Sequence, residues 1–286
     1  MKKLLVLLLA LLLVSGCSKV NNTTVTGGEE VLFSSSKTTY TKADLYNDML
    51  GNDITDLLSN NLVKELAVLE GADLDTYVAE AQDYINDLKE QGYEYFISYY
   101  YGSEEAYIDS YVSFEASDML LKNDVMANFD KHVEEYAPIQ AEIVYFDEAA
   151  QANAAIDAVN AGKTFAFAAS ENGYSKEVYT SVYTSKKTLP EEVRNYINEN
   201  ESGLSGVIET ATVVTDSEGN STSTPRFYLV NLISKNVEDF KDDFVKTVIE
   251  DVDATTVINN LVKKHNVQIH DQRIYDLLSV KYEAVK

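Results

Sequence analysis

All three prolines of this 286-residue chain, Pro138, Pro190 and Pro225, fall in its middle part. A proline inside a helix removes a backbone hydrogen bond and clashes with the preceding turn, at a cost of about 3 kcal/mol. The stretch before residue 138 carries no such obstacle, and Thr41 with Asp44 three residues later predicts a capped helix start. Apolar residues then recur at helical spacing: Leu57, Leu58, Leu62, Leu66 and Leu69, followed by Tyr77, Ala81, Tyr84, Ile85 and Leu88.

The pattern changes after Pro138 and changes back after Asn236. Runs rich in β-branched and aromatic residues predict strands, whereas the Ala-rich stretch 147–161, stopped by Gly162, predicts a helix. The polar segment from Asp216 to Pro225 predicts a long hairpin loop. The sequence therefore predicts an α+β chain, in which N- and C-terminal helices form an all-α body and the middle part is an inserted α+β domain. The predicted strands are 140–146, 178–184, 207–215 and 226–234.

Charge and composition exclude several classes of function. The chain has 23 Lys and Arg against 47 Asp and Glu, a net charge of −24. Such a surface repels phosphate backbones and anionic lipid heads, which excludes a nucleic-acid groove or a polybasic membrane patch. One cysteine and three scattered histidines, His132, His265 and His270, predict no disulfide, no metal site and no cofactor.

The first residues are typical of an exported protein. Lys2 and Lys3 precede an uninterrupted apolar run, residues 4–14, which is too short to span a bilayer and predicts a signal peptide over residues 1–16. The string Val14-Ser-Gly-Cys17 resembles the bacterial lipobox, in which the cysteine is lipidated and becomes the first mature residue. The alternative is an ordinary signal peptide with a chance cysteine. Lipidation of Cys17 predicts attachment to the outer face of the cell membrane, with residues 17–36 as a flexible tether.

Several short strings follow one another along the chain: YTKADLY (40–46), QAEIVYF (140–146), AGKTFAFAA (161–169), TLPE (188–191), GLSGVI (203–208), RFYLVNL (226–232) and LVKKHNVQIHD (261–271). In this order they resemble the PrsA family of extracytoplasmic foldase lipoproteins. The resemblance implies a parvulin-type peptidyl-prolyl isomerase domain at 137–235. It also implies a chaperone domain built from helices of 37–136 and 236–286.

The sequence departs from this family where the catalytic centre is expected. Parvulins accelerate rotation about X–Pro bonds, which faces a barrier of about 18–20 kcal/mol, with a hydrogen-bonded centre built on two histidines. The places of these histidines fall on Glu142 and Tyr228, and the stretch 137–234 contains no histidine or cysteine. The resemblance thus predicts a parvulin frame without the usual centre. Two alternatives stay open for Glu142 and Tyr228: a hydrogen bond across two strands, or structural filling.

Tyrosines concentrate between residues 93 and 111. A tyrosine ring offers a large apolar face, a polar tip and few rotamers to freeze, properties that suit contact with many different unfolded chains. The alternative is a helix whose tyrosines are buried in the core, and three adjacent tyrosines cannot all share one helix face. The candidate client-binding residues are Tyr95, Tyr99, Tyr100 and Tyr101.

Three functional hypotheses follow. The first is a lipid-anchored folding factor that holds unfolded or newly exported proteins. The second is an active peptidyl-prolyl isomerase with a non-standard site, and the third is a lipoprotein that binds one specific protein partner. The expected partners are unfolded exported proteins and the membrane that holds the lipid anchor, and a second copy of the chain in a homodimer is a further candidate. Nucleic acids and metals are not expected.

Overall fold

The computed structural model describes residues 25–34, 39–51, 54–215 and 221–285. These residues form twelve α-helices, one short 3-10 helix and seven strands, which confirms the predicted α+β fold class. They fall into two compact units: the residues up to Leu121 together with those from Asp253 on, and Lys122–Val252. No helix in the described part of the chain is long and apolar enough to cross a membrane. The predicted signal peptide and Cys17 lie outside the described residues.

The first unit is mainly helical, and the first of its helices begins at a reciprocal cap. The backbone N–H of Thr41 donates to the Asp44 carboxylate (2.8 Å), and the N–H of Asp44 donates to Thr41 Oγ1 (3.2 Å), as the sequence predicts. The helices of this unit are α1 (Lys42–Gly51), α2 (Thr55–Leu69), α3 (Leu74–Glu90), α4 (Tyr95–Tyr101), α5 (Glu104–Ala127, which continues into the second unit), α11 (Ala254–Lys264) and α12 (Gln272–Ser279).

The core of the first unit joins the two ends of the chain. Leu66 of α2 is fully buried in one apolar cluster with Leu120 of α5, Val262 of α11 and Leu278 of α12. At the edge of this core, the Glu70 carboxylate accepts from Lys264 Nζ (2.6 Å) and lies 2.5 Å from His265 Nε2. These hydrogen bonds hold the pKa of Glu70 below its usual range. N- and C-terminal helices therefore form one body around a shared core.

Part of the predicted flexible tether is ordered. Strand β1 (Val31–Ser34) pairs antiparallel with β2 (Thr39–Thr41), directly before α1. Gly28 lies close to α1, because a Cβ at this position would stand 3.0 Å from the Val25 carbonyl oxygen and 3.3 Å from the Ala43 side chain. The predicted all-α body thus also contains a two-stranded sheet, formed by the apolar string that begins at Val31.

The second unit contains a five-stranded sheet and three helices that cover it. Their bounds are β3 (Ile139–Phe146), α7 (Ala149–Asn160), α8 (Phe165–Glu171), β4 (Ser181–Tyr183), α9 (Glu191–Glu199), β5 (Gly203–Leu204), β6 (Ile208–Thr215) and β7 (Ser221–Ser234). The strands are antiparallel in the order β4-β3-β7-β5, and β6 also pairs with β7. Because side chains alternate along each strand, the sheet has two faces. One face packs on α7 and α8, through Val144, Phe146 and Leu229, and the other packs on α9, through Ala141, Val230 and Leu232.

Two strands differ from the prediction. The last strand begins at Ser221, so the second half of the predicted hairpin loop, residues 221–225, belongs to β7, with Pro225 opposite Ala211 of β6. The pairing with β3 ends at Phe146 opposite Phe227, so at Pro225 the strand β7 has a neighbour on one side only, a position at which a sheet tolerates proline. The predicted strand 178–184 is shortened to β4, since only three of its residues pair with β3.

The second unit extends beyond the predicted module of 137–235. Helix α6 (Phe129–Tyr136), a 3-10 turn (Val237–Phe240) and α10 (Lys241–Ile249) pack together with Val182 of β4. Phe244 is fully buried at the centre of this cluster, with ring centroids 5.8 Å from Phe129 and 6.1 Å from Tyr136. The flanking helices therefore share a core with the sheet and belong to the same unit.

Candidate functional site

Glu142 and Tyr228, the candidate catalytic positions, lie on opposite faces of the sheet. Glu142 is paired in register with Asn231, and its carboxylate accepts from Asn231 Nδ2 (2.8 Å) and Thr180 Oγ1 (3.4 Å) on the α7/α8 face. Tyr228 is paired with Tyr145, and their ring centroids are 5.6 Å apart on the α9 face. An offset of three residues along β3 reverses the direction of a side chain. The two groups therefore do not meet.

The residues of β3 that share the face of Tyr228 include Ile143, one position after Glu142, and Tyr145, directly opposite Tyr228. Two groups that form one hydrogen-bonded centre on neighbouring strands must point to the same face. Glu142 therefore forms no such centre with Tyr228. Burial, with a smaller contribution from Tyr145, raises the pKa of Tyr228, so this phenol stays protonated at neutral pH and is no general base.

The second unit also contains a cavity of about 260 Å³ at the opposite end of β3. Its apolar wall includes Ile139, Leu189 and Ile197, and Lys187 donates to the Val182 carbonyl beside it (3.1 Å). Ile139 lies six positions before Tyr145 on β3, so the cavity is roughly 20 Å along the strand from the Tyr145–Tyr228 pair. The cavity is therefore no part of a centre at Tyr228.

A larger concave site lies in the first unit, where α3, α4 and the start of α5 meet. We call it the tyrosine groove. Its volume is about 600 Å³, within the range of sites that bury a small organic ligand or several side chains. Six of its eight lining side chains are aromatic. The lining residues are Tyr84, Leu88, Tyr93, Phe96, Ile97, Tyr100, Tyr101 and Tyr107.

The short helix α4 explains how this groove arises from the sequence. Gly92 and Gly102 have positive φ values of 77° and 81°, which side chains rarely adopt, and they end α3 and α4 with sharp corners. Between Gly92 and Gly102 only the side chain of Ile97 is buried. It packs in a small core with Ile85 of α3 and Tyr107 of α5. A helix of seven residues turns one narrow face to this core, so the remaining aromatic side chains of α4 point outward.

The four predicted client-binding tyrosines are all exposed. The exposed fractions are 56% for Tyr95, 78% for Tyr99, 67% for Tyr100 and 45% for Tyr101. Of these, Tyr100 and Tyr101 line the groove, and Tyr95 and Tyr99 flank it. The alternative, burial in the core, holds for Tyr107, which is 9% exposed. The cluster therefore combines a small core with an outward-facing surface.

The exposed rings contact one another in a continuous series. Tyr95 stacks on Phe96 (centroids 4.6 Å apart), Phe96 lies parallel to Tyr100 (6.0 Å), and Tyr99 meets Tyr100 edge to face (4.9 Å). In a separate contact, Tyr101 meets the buried ring of Tyr107 edge to face (centroids 5.0 Å apart). Each such pair contributes about 0.5–1.5 kcal/mol beyond the area that it buries, so the rings hold their positions before any ligand binds.

Two kinds of contribution to the groove are not predicted from the sequence. Tyr84 and Leu88 of α3 fit the predicted helical spacing, which does not indicate a place in a groove, yet Tyr84 is half exposed and stacks on Tyr107 (centroids 5.8 Å apart). Phe96 is not a tyrosine, so the concentration of tyrosines does not indicate its contribution to the groove.

Burial raises the pKa of Tyr107 to about 12, and the neighbouring tyrosines add to this, so this phenol is uncharged throughout the physiological range.

Among the described residues there is no group of three or more His, Cys, Asp or Glu side chains arranged to hold a metal ion.

Comparisons with known proteins gave matches among solved structures alone. No protein-family model matches the chain, and no curated protein does. The chain is similar to the foldase protein PrsA of Streptococcus pneumoniae (17% identity, 88% of this chain and 100% of the other, TM-score 0.48). It is also similar to PrsA of Lactococcus lactis (18%, 88% and 99%, 0.41) and to the peptidylprolyl isomerase PrsA of Bacillus cereus (16%, 88% and 98%, 0.41).

Proposed function

We propose that this protein is an extracytoplasmic folding factor that binds unfolded segments of exported proteins in the tyrosine groove. A lipid on Cys17 holds it at the outer face of the bacterial cell membrane. The observation that carries the proposal is the continuous series of exposed aromatic rings on a helical frame. Soluble proteins expose few contiguous apolar patches, and those they do expose are often functional.

The groove fits weak binding of many sequences better than tight binding of one. Its walls are rings that a bound apolar side chain contacts face-on or edge-on without a fixed hydrogen-bond pattern. Tyrosine loses little conformational entropy on contact, so affinity does not depend on one exact partner. Release is then fast, as a folding factor requires.

Suppression of aggregation tests this function. We expect the protein to keep several unrelated, chemically unfolded proteins in solution, as measured by light scattering after dilution from denaturant. Suppression arises because the groove covers apolar segments that otherwise associate with one another. A protein that binds one folded partner and leaves unrelated proteins to aggregate would support the third hypothesis, and no suppression of any protein would exclude the proposed function.

The isomerase alternative predicts a different result. Because Glu142 and Tyr228 point to opposite faces of the sheet, we expect no acceleration of X–Pro isomerisation in a protease-coupled assay on short proline peptides. Glu142→Ala and Tyr228→Phe should each leave the rate at the uncatalysed value. A clear rate above background that either substitution lowers would show a non-standard centre.

A further inference from the structure

The tyrosine groove lies in a strongly acidic part of the chain. Lys89 is the only basic residue between Tyr84 and Tyr111, and its Nζ is already paired with the Glu104 carboxylate at 2.7 Å. The acidic residues of the same stretch are Asp87, Glu90, Glu94, Glu104, Glu105 and Asp109. Asp109 is likewise paired with Lys64 Nζ of α2, so two lysines neutralise two of the six carboxylates and the aromatic surface keeps a net negative charge.

Two of these carboxylates lie at helical spacing from rings of the groove. Asp87 follows Tyr84 by three residues, and Glu104 precedes Tyr107 by three, so each shares a helix face with a ring of the groove. Glu94 stands directly before the first residue of α4 and is exposed. A ligand that reaches the rings therefore also enters the field of the carboxylates.

An aromatic face beside a carboxylate recognises a cation. The ring quadrupole attracts an ammonium or guanidinium group, more strongly the further the site is desolvated, and the carboxylate adds a charge pair. This chain uses the combination internally: Lys186 Nζ lies 3.6 Å from the Tyr136 ring centre and 3.1 Å from the Glu135 carboxylate. The same combination recurs at Arg226 with Tyr145 and Asp147 and at Arg273 with Tyr46 and Asp271.

We propose that the tyrosine groove selects segments of unfolded chain in which lysine or arginine stands beside apolar residues. The proposal rests on the proposed function and names the class of segment that it binds. Apolar side chains fill the groove while the cations sit over the outer rings, next to Asp87 and Glu90 in the last turn of α3 and Glu94 at the start of α4. Acidic segments are repelled by the same carboxylates.

Three short peptides with the same apolar residues, and with Lys, Gln or Glu at the polar positions, test this selectivity. We expect the whole protein to bind the Lys peptide about tenfold more tightly than the Glu peptide, with the Gln peptide between them, by fluorescence anisotropy at low salt. The preference for Lys should shrink as ionic strength rises to physiological values, because salt screens exposed charges.

A matched pair of variants locates the effect. Asp87→Asn, Glu90→Gln and Glu94→Gln together should weaken the Lys peptide several-fold and leave the Gln peptide unchanged. The control carries the same charge change in the second unit, at Asp157, Glu192 and Glu199, which are exposed. Equal weakening by the control would overturn the assignment to the groove, since the preference would then come from net charge.

The outcomes separate this inference from the function beneath it. Equal binding of all three peptides would overturn the selectivity and leave the folding-factor proposal standing. If none of the peptides binds, the groove is no client site and both proposals fail.

Discussion

We expect that replacing Tyr95, Tyr99 and Tyr100 with serine together abolishes the suppression of aggregation and leaves the protein folded. The three side chains are mostly exposed, whereas Ile97 and Tyr107, which anchor α4, are left in place. At about 1 kcal/mol for each lost ring contact, affinity for an unfolded chain falls roughly a hundredfold. Light scattering of a diluted unfolded protein measures the effect, and circular dichroism shows that the variant keeps its helices.

The matched control removes three exposed apolar side chains elsewhere. Phe167, Tyr179 and Val280 are at least as exposed on average as the three tyrosines, and none of them lines the groove. Their replacement by serine should leave suppression at the level of the unchanged protein. Equal loss in both variants would mean that any exposed apolar residue serves, and undiminished suppression in the tyrosine variant would remove the groove from the account.

Replacing Leu66 with alanine should lower the free energy of unfolding by about 3 kcal/mol. Leu66 is fully buried in the core that joins α2 and α5 to α11 and α12, so the cavity left by its side chain has no access to solvent. Chemical denaturation followed by circular dichroism measures the loss. Because the core joins both ends of the chain, amide exchange in Ala254–Lys264 should also become faster.

Leu69→Ala on the same helix provides the control. Leu69 is more than half exposed, and its truncation should change the free energy of unfolding by less than about 0.5 kcal/mol. Similar losses for both variants, or unchanged exchange in α11 of the Leu66 variant, would contradict a shared core of N- and C-terminal helices.

Helical spacing allows the body of the protein to be predicted well. The leucines of 57–69 and the cap at Thr41 lead to α2 and α1, because these signals are local and depend on contacts within one turn or on one face. Strand β3 follows from its β-branched run for the same reason. The two-stranded sheet at Val31 is missed because four residues surrounded by small polar ones carry no clear period.

The candidate catalytic positions show more clearly how far prediction from the sequence reaches. The resemblance predicts Glu142 and Tyr228 as the places of one centre, whereas the register puts them on opposite faces of the sheet. A shift of one residue along a strand exchanges its two faces, so the resemblance of short strings does not determine which of two neighbouring residues shares the face of Tyr228. Only the register with β7 decides between them, and register depends on pairing across 89 residues of chain.

The groove could be predicted in part. Three adjacent tyrosines cannot share one helix face, which already indicates that some of them are exposed. The contribution of Tyr84 depends on the corner at Gly92, which folds α4 back against α3. Such a corner is a tertiary feature, and neither the spacing nor the composition of either helix contains it.

Hydrogen–deuterium exchange of the whole protein with and without a permanently unfolded polypeptide tests the central claim most directly. The account predicts that protection on binding concentrates in the groove segment, residues 84–107, and is lost in the variant with Tyr95, Tyr99 and Tyr100 replaced by serine. Protection confined to the second unit, around the cavity at Ile139 and Leu189, with none in 84–107, would contradict it.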